Sequence, residues 1–274
     1  MKNKRLIQTI LRNIVAWLFS LICLIPLLLI AVNSLKDKKA SAVMNLAPPT
    51  SIHLENFITV IEKGKLARSF INSLIYSAGS TILCVFLASL AAYVLSRNQT
   101  RLHKFMYMFL VLGITLPVNY VALTKVLQFL HLNNTAIGII LLYTAMQLPF
   151  MTFLIHGFVA KVPVELDEAA VIDGCGPIRL FAYIIIPLLK PAIATSAVLT
   201  FLNTWNEFVS PLYFLNRTEQ WPMTLSVYNF FGMYYKDWNL VCADIFLTSL
   251  PVLVVYLIGQ KYIVAGMTAG ALKG

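Results

Sequence analysis

The chain has 274 residues, of which 59% are hydrophobic and only 12% charged, and its mean hydropathy is +0.79. Soluble domains carry about a quarter of their residues as Asp, Glu, Lys and Arg, so these figures exclude a soluble cytosolic enzyme, a disordered or collagen-like chain and a small disulfide scaffold, and imply an all-α polytopic membrane protein. The formal net charge of +10 does not point to nucleic acid, because the basic residues sit mostly between apolar stretches, where they meet anionic lipid headgroups.

About 20 apolar residues cross a hydrocarbon core of roughly 30 Å. On that criterion residues 1–13 are a basic N-terminal segment, with Lys2, Lys4, Arg5 and Arg12, and residues 14–35 form the first span. This start resembles a signal peptide, and Ala40-Ser41-Ala42 imitates a cleavage site. The apolar run exceeds a signal core, however, and Lys36, Asp37, Lys38 and Lys39 precede that site, so a retained anchor is expected. Residues 36–68 then form an external loop with Pro48-Pro49 and an amphipathic, helix-like stretch, Leu54 to Ile61, expected to lie along the membrane surface and read equally as a mere tether or as a functional element.

Further spans are expected at 69–96, 105–124, 136–160, 191–215 and 245–263, which makes six, with a tail at 267–274. The uncharged run from Val126 to Ala160 is broken by the polar turn His131-Leu132-Asn133-Asn134-Thr135, which delays the fourth span to Ala136. Leu180 to Leu189 is apolar but only about 15 Å long as a helix, half of a crossing. Pro177, Pro187 and Pro191 bracket it, so a short surface helix is expected there. Small residues at four-residue spacing, Ser73-Ser77-Thr81 and Ala88-Ala92-Ser96, predict close helix packing in the second span. Cys23, Cys84, Cys175 and Cys242 are widely spaced and read as packing residues. His156 is isolated in the fourth span and reads as packed.

The even count places both termini on one side, and a small excess of Lys and Arg favours that side as the cytoplasm. The loop 161–190 is then internal. Pro163 suits a first helical turn, Glu165, Asp167 and Glu168 complement the helix dipole, and Gly174 supplies the stop, so a helix is predicted over Val164 to Asp173. A second helix is predicted from Pro177 to Pro187. Between them Gly174-Cys175-Gly176 makes a turn tolerant of positive φ.

Glu168-Ala169-Ala170, three residues, Gly174, nine residues and then Ile184-Ile185-Ile186-Pro187 resembles the EAA signature of ABC importer permeases, with Ile186 where the family pattern has leucine. Pro163 to Asp167, Asp173-Gly174, Asn72-Ser73, Ala91-Ala92-Tyr93, Leu95-Ser96-Arg97, Trp205-Asn206-Glu207-Phe208 and the ending Ala265 to Gly274 are similar to the permease subunit of maltose-type carbohydrate importers, the MalG-like family, from about Pro48 onward. The resemblance implies six spans with a cytoplasmic coupling loop between the fourth and fifth. It implies a heterodimer with a second related permease in a prokaryotic cell membrane, two cytoplasmic ABC ATPases, an extracytoplasmic sugar-binding protein and a carbohydrate substrate. An oligosaccharide is expected, with a polyol or glycerol phosphate as the alternative. ATP and Mg would bind the partner ATPases and no cofactor this chain. In keeping with that division, no GxxxxGK[ST] loop occurs here to cradle ATP phosphates.

Within the signature, Glu168, Ala169, Ala170, Asp173, Gly174 and Pro187 are the expected ATPase-coupling residues: the alanines permit close seating in a groove, Glu168 can pair with a basic group, and Gly174 sets the exit angle. In the fifth span Ser196, Thr200, Asn203, Glu207 and Ser210 share one predicted helical face, and Glu207 is the only acid expected inside a span. Asn203, Asn206, Glu207 and Ser210, with Gln147 and Asn119 beside prolines, either line a translocation path or tie helices together. The third external loop gathers Trp221, Tyr228, Phe231, Tyr234 and Trp238. These are read equally as interfacial aromatics and as a docking surface for an external protein. Two rival classes lack their marks: no GxSx serine motif supports an intramembrane protease, and one membrane acid without repeats argues against an ion-coupled carrier.

Overall fold

The computed structural model describes residues 2–231 and 236–271. In chain order its α-helices are α1 (Lys2–Ser34), α2 (Lys38–Ser41), α3 (Glu55–Lys63), α4 (Leu66–Arg97), α5 (Arg101–Leu112), α6 (Tyr120–Phe129) and α7 (Ala136–Val159). They continue with α8 (Glu165–Ile172), α9 (Pro177–Leu180), α10 (Ile186–Leu188), α11 (Lys190–Trp205), α12 (Val209–Phe214), α13 (Met223–Ser226) and α14 (Trp238–Ala271). Among the described residues the sole β contact is an isolated bridge between Phe231 and Lys236, so the all-α class holds.

Among the described residues four helices have the length and apolarity for a crossing: Thr9–Ser34 within α1, Leu66–Arg97, Ala136–Val159 and Trp238–Val264 within α14. Pro177–Leu188 and Lys190–Trp205, bent by 79°, make a fifth if counted together. The expected third span, 105–124, is not one helix. Gly113 caps α5, Pro117 lies in the turn that follows, and the Asn119 side chain accepts from the Ala122 N–H at 3.0 Å to start α6. The fifth expected span also ends early, at Trp205, with Ser210 on the separate helix α12. The last candidate span begins before its expected start of 245, at Trp238, and takes in Asp244, so Glu207 is not alone as an acid in the apolar stretches.

Two compact units emerge, Met1–Ala67 with Ser226–Leu250, and Arg68–Leu225 with Pro251–Gly274. In the first unit the amphipathic stretch is the helix α3, and its buried Asn56 closes the end of α1. Asn56 Nδ2 donates to the carbonyls of Ser34 at 2.8 Å and Lys36 at 2.9 Å, and its Oδ1 accepts from Asn239 Nδ2 at 2.7 Å, satisfying carbonyls that a helix end leaves without partners. Lys36 is itself buried, its Nζ donating to Asn33 Oδ1 and to both the Oδ1 and carbonyl of Asn45. At the start of α3 a His53 hydrogen bond holds the Glu55 carboxyl below its usual range. Asp244 is buried and accepts from the Ser226 hydroxyl at 2.8 and 3.0 Å.

The second unit is built around the small residues of α4. Cys84, Ala88 and Ala92 are fully buried against Met151, Ile155 and Val159 of α7, with Ala170, Leu180, Ile185, Leu189 and Ala192 completing the cluster. Four-residue spacing puts the α4 side chains on one face, and their small size lets the helices approach. Cys84 and Cys242 thus fit the packing reading, whereas Cys23 is exposed. His156 stacks on Tyr107 at 4.1 Å between ring centres.

Candidate functional site

The loop after α7 folds as the spacing predicts. Val164 and Asp173 flank α8 as its caps, and the expected stop is a Schellman turn: Cys175 N–H donates to Ala170 C=O at 2.9 Å and Gly174 N–H to Val171 C=O at 3.0 Å. Gly174 has φ +79°, the left-handed conformation that the absence of a β-carbon makes inexpensive. Cys175 and Ala170 both pack on the core cluster, which supplies the apolar contact of such a turn.

The signature residues divide between two faces. Ala170 is buried, while Glu168, Ala169, Asp173, Gly174 and Pro187 are exposed. Beside them Ile172 and Ile178 are 85% and 84% exposed, an apolar surface at a loop that the sequence reading described only through its acids and small residues. Asp167, read from sequence as a dipole-favouring residue, instead turns inward. Its carboxylate accepts from Arg97 Nε at 2.8 Å, Arg97 Nη2 at 3.2 Å and the Tyr93 hydroxyl at 3.0 Å, while Arg97 Nη1 donates to Val162 C=O at 3.1 Å.

From Pro177 the chain runs through α9, a π-helical turn (Phe181–Ile185) and α10, and then bends into α11 at Leu189. The Ile186 N–H reaches back to Phe181 C=O, and this wider turn accommodates Pro187, whose ring would clash in an α-helical turn. Beside it lies an apolar groove of about 630 Å³, lined by Phe86, Leu90 and Tyr93 of α4 and by Pro177, Phe181 and Ile186.

The polar residues expected on one face of the fifth span are separated. Ser196 and Thr200 are buried, whereas Asn203 is exposed, and its Nδ2 donates to Gln147 Oε1 of α7 at 3.1 Å. Asn206 caps α11 and its side chain donates to Leu202 C=O at 2.8 Å. Glu207 Oε1 accepts from the Ser210 N–H at 2.8 Å, and Ser210 is buried with its hydroxyl 3.7 Å from Met146 Sδ. Asn119 serves as the α6 cap. Thus Gln147 and Asn203 are brought together, and the others meet backbone or core.

Of the aromatic loop, Trp221 packs in the second unit, its indole N–H donating to Leu215 C=O at 3.1 Å. In the first unit Phe231 lies 6.1 Å from Tyr228 and 5.7 Å from Trp238, and the Lys236 ammonium sits 5.4 and 5.5 Å from the rings of Phe231 and Trp238. Tyr234 lies outside the described residues.

Residues 84–269 match the family described as "Binding-protein-dependent transport system inner membrane component". The chain is 31% identical over 268 residues to the "Probable starch degradation products transport system permease protein AmyC" of Thermoanaerobacterium thermosulfurigenes, covering 97% of this chain and 98% of that protein. It is 34% identical over 253 residues to the "Melibiose/raffinose/stachyose import permease protein MelC" of Bacillus subtilis, covering 91% of each. Its fold is similar to a chain of "a bacterial ABC transporter involved in the import of the acidic polysaccharide alginate", with a TM-score of 0.82, 21% identity and coverage of 93% and 96%.

Proposed function

The chain belongs to the family of binding-protein-dependent transport system inner membrane components, and on that premise we propose that it is the permease subunit of an ATP-driven importer for a sugar, an oligosaccharide by the naming of its relatives. It is a membrane subunit without catalytic chemistry of its own. In the proposed assembly it pairs with a second permease, stands on two cytoplasmic ATPases that bind ATP and Mg, and receives its substrate from an extracytoplasmic binding protein. Both termini lie in the cytoplasm of a prokaryotic cell. The six-span organisation is part of this proposal, with α5 and α6 together serving as the third span.

The observation that carries the reading is the loop around α8. A short helix closed at its C-terminal end by the Schellman turn, with Glu168 and Ala169 exposed beside Val171, Ile172 and Ile178 and Ala170 anchored in the core, is a knob of the kind a closing ATPase can push. Glu168, Ala169, Ala170, Asp173, Gly174 and Pro187 form or position that knob. Gln147 and Asn203 offer amides to sugar hydroxyls on the translocation path, with Asn119, Asn206, Glu207 and Ser210 shaping the turns around it. Trp221, Tyr228, Phe231, Tyr234 and Trp238 supply aromatic contacts to the binding protein.

The complex, purified with its binding protein, should yield a bound sugar by mass spectrometry, and proteoliposomes should take up that sugar with ATP. Glu168→Lys and Gly174→Pro should leave the chain inserted and the ATPases active while uptake falls about tenfold or more, as expected when an inter-site coupling is broken. Normal uptake by both variants would refute the coupling role, and a bound polyol would reassign the substrate.

A further inference from the structure

The helix α4 is fastened at both ends by polar contacts made by residues outside the EAA signature. At its C-terminal end Tyr93 and Arg97 hold Asp167 of α8, and Arg97 also holds the Val162 carbonyl. Three guanidinium nitrogens are used, so the contact fixes orientation as well as distance. At its N-terminal end Arg68 Nε and Asn72 Nδ2 each donate to Glu219 C=O at 2.9 Å, Asn72 also donates to Trp221 C=O at 3.1 Å, and Tyr76 donates to Gln220 C=O at 2.9 Å. Ser73 Oγ accepts from the Met223 N–H at 2.8 Å. The segment 219–223 is thereby bound to α4 through its backbone. At 1.5 Å per residue the two fastenings stand about 40 Å apart. Proline interrupts α1 at Pro26, α7 at Pro149 and α14 at Pro251, but none lies within α4, so its i→i−4 ladder is unbroken.

We propose that α4 is the rod that couples the ATPase-facing helix α8 to the external segment 219–223, with Arg97 as the positioning residue of its inner clamp and Asn72 that of its outer clamp. The inference rests on the importer reading given above. Closure of the ATPases displaces α8, Arg97 and Asp167 carry the displacement into α4, and the hydrogen bonds of Arg68, Asn72 and Tyr76 deliver it to the backbone of the external loop. By linkage, a load on that loop biases α8 in return. A weak contact at either end would dissipate the motion in side-chain rearrangement, whereas both ends here engage through several hydrogen bonds.

The test uses the whole complex in nanodiscs, with this chain's four cysteines replaced by alanine and a bimane label on Thr218→Cys. ATP, Mg and vanadate should shift the label's emission in the otherwise unaltered protein. Arg97→Gln should reduce that shift about tenfold while complex yield and ATP hydrolysis persist, a separation that a folding defect would not produce. Asn72→Ala should do the same from the other end, and the double variant should be no worse than either single one, because each breaks the same chain of contacts. Should Arg97→Gln fail to assemble, Asn72→Ala alone carries the test. A retained shift in Asn72→Ala, or in an assembled Arg97→Gln, overturns the rod, as does an unaltered complex that hydrolyses ATP without any shift. Purification of the unaltered chain without any ATPase would instead overturn the importer reading itself.

Discussion

Gly259 marks the point where α14 meets α11 in the second unit, and a single methyl group there should part the two helices. A β-carbon at residue 259 would stand 2.6 Å from Val198 Cγ1 and 2.9 Å from Cγ2, against about 3.5–4.0 Å for carbon atoms at rest. Valine in a helix keeps essentially one rotamer, so Val198 cannot swing aside and the backbones must separate by roughly the missing ångström. The same crossing carries Thr195, whose buried hydroxyl lies 2.7 Å from Tyr262 C=O and 2.8 Å from Pro191 C=O, its one proton shared between them. Overpacking costs about 1–3 kcal/mol, and weakening an interhelical hydrogen bond adds about 0.6 kcal/mol. Gly→Ala returns about 1 kcal/mol of helix propensity. Gly259→Ala should therefore lose about 0.5–2.5 kcal/mol. Val198→Ala removes the two methyl groups that would be struck, so the double variant should be at least about 1 kcal/mol more stable than the two single losses added together. Unfolding in mixed detergent and SDS micelles, run as a double-mutant cycle, measures this directly. Additivity within about 0.5 kcal/mol would show that the two positions do not touch and would refute the reasoning.

Lys36→Met should lower stability by about 1–3 kcal/mol, because it strips a buried donor from Asn33 and Asn45 while filling the same volume; an unchanged thermal midpoint in detergent would count against the buried network. At Gly174 an added β-carbon meets no atom within 4 Å, so only its φ of +79° resists substitution. Gly174→Asn should accordingly melt within a degree or two of the parent chain, since asparagine visits the left-handed region, whereas Gly174→Val should lose about 1–2 kcal/mol. Equal melting of the two variants would show that the left-handed turn is not what the position requires.

Much of the loop around α8 was legible because its determinants are local. Acidic residues in a first turn, alanines, and a glycine followed by a residue that packs back on the helix specify α8 and its Schellman turn with no help from the rest of the chain. At Pro117 the apolar run reads as one continuous span, but Gly113 ends α5 and the Asn119 side chain starts α6, so the structure divides the run into two helices. A hydropathy count stops at the first charge and so places Asp244 just before the last span. In the structure α14 runs through Asp244, whose buried carboxylate accepts from the Ser226 hydroxyl.

The sequence by itself determined that this chain belongs in a membrane, roughly where most of its long apolar helices run, and that a short helix after α7 stops at Gly174. Those properties follow from composition and from periodicities that a window of a few turns contains. Tertiary structure alone decided which of the acids does what. Asp167 and Arg97 are 70 residues apart, Asn72 and Trp221 149, and nothing in local propensity pairs them. Desolvation does: a carboxylate and a guanidinium brought to the edge of a packed core must find each other, or leave a charge without a partner, at a cost of about 3–5 kcal/mol.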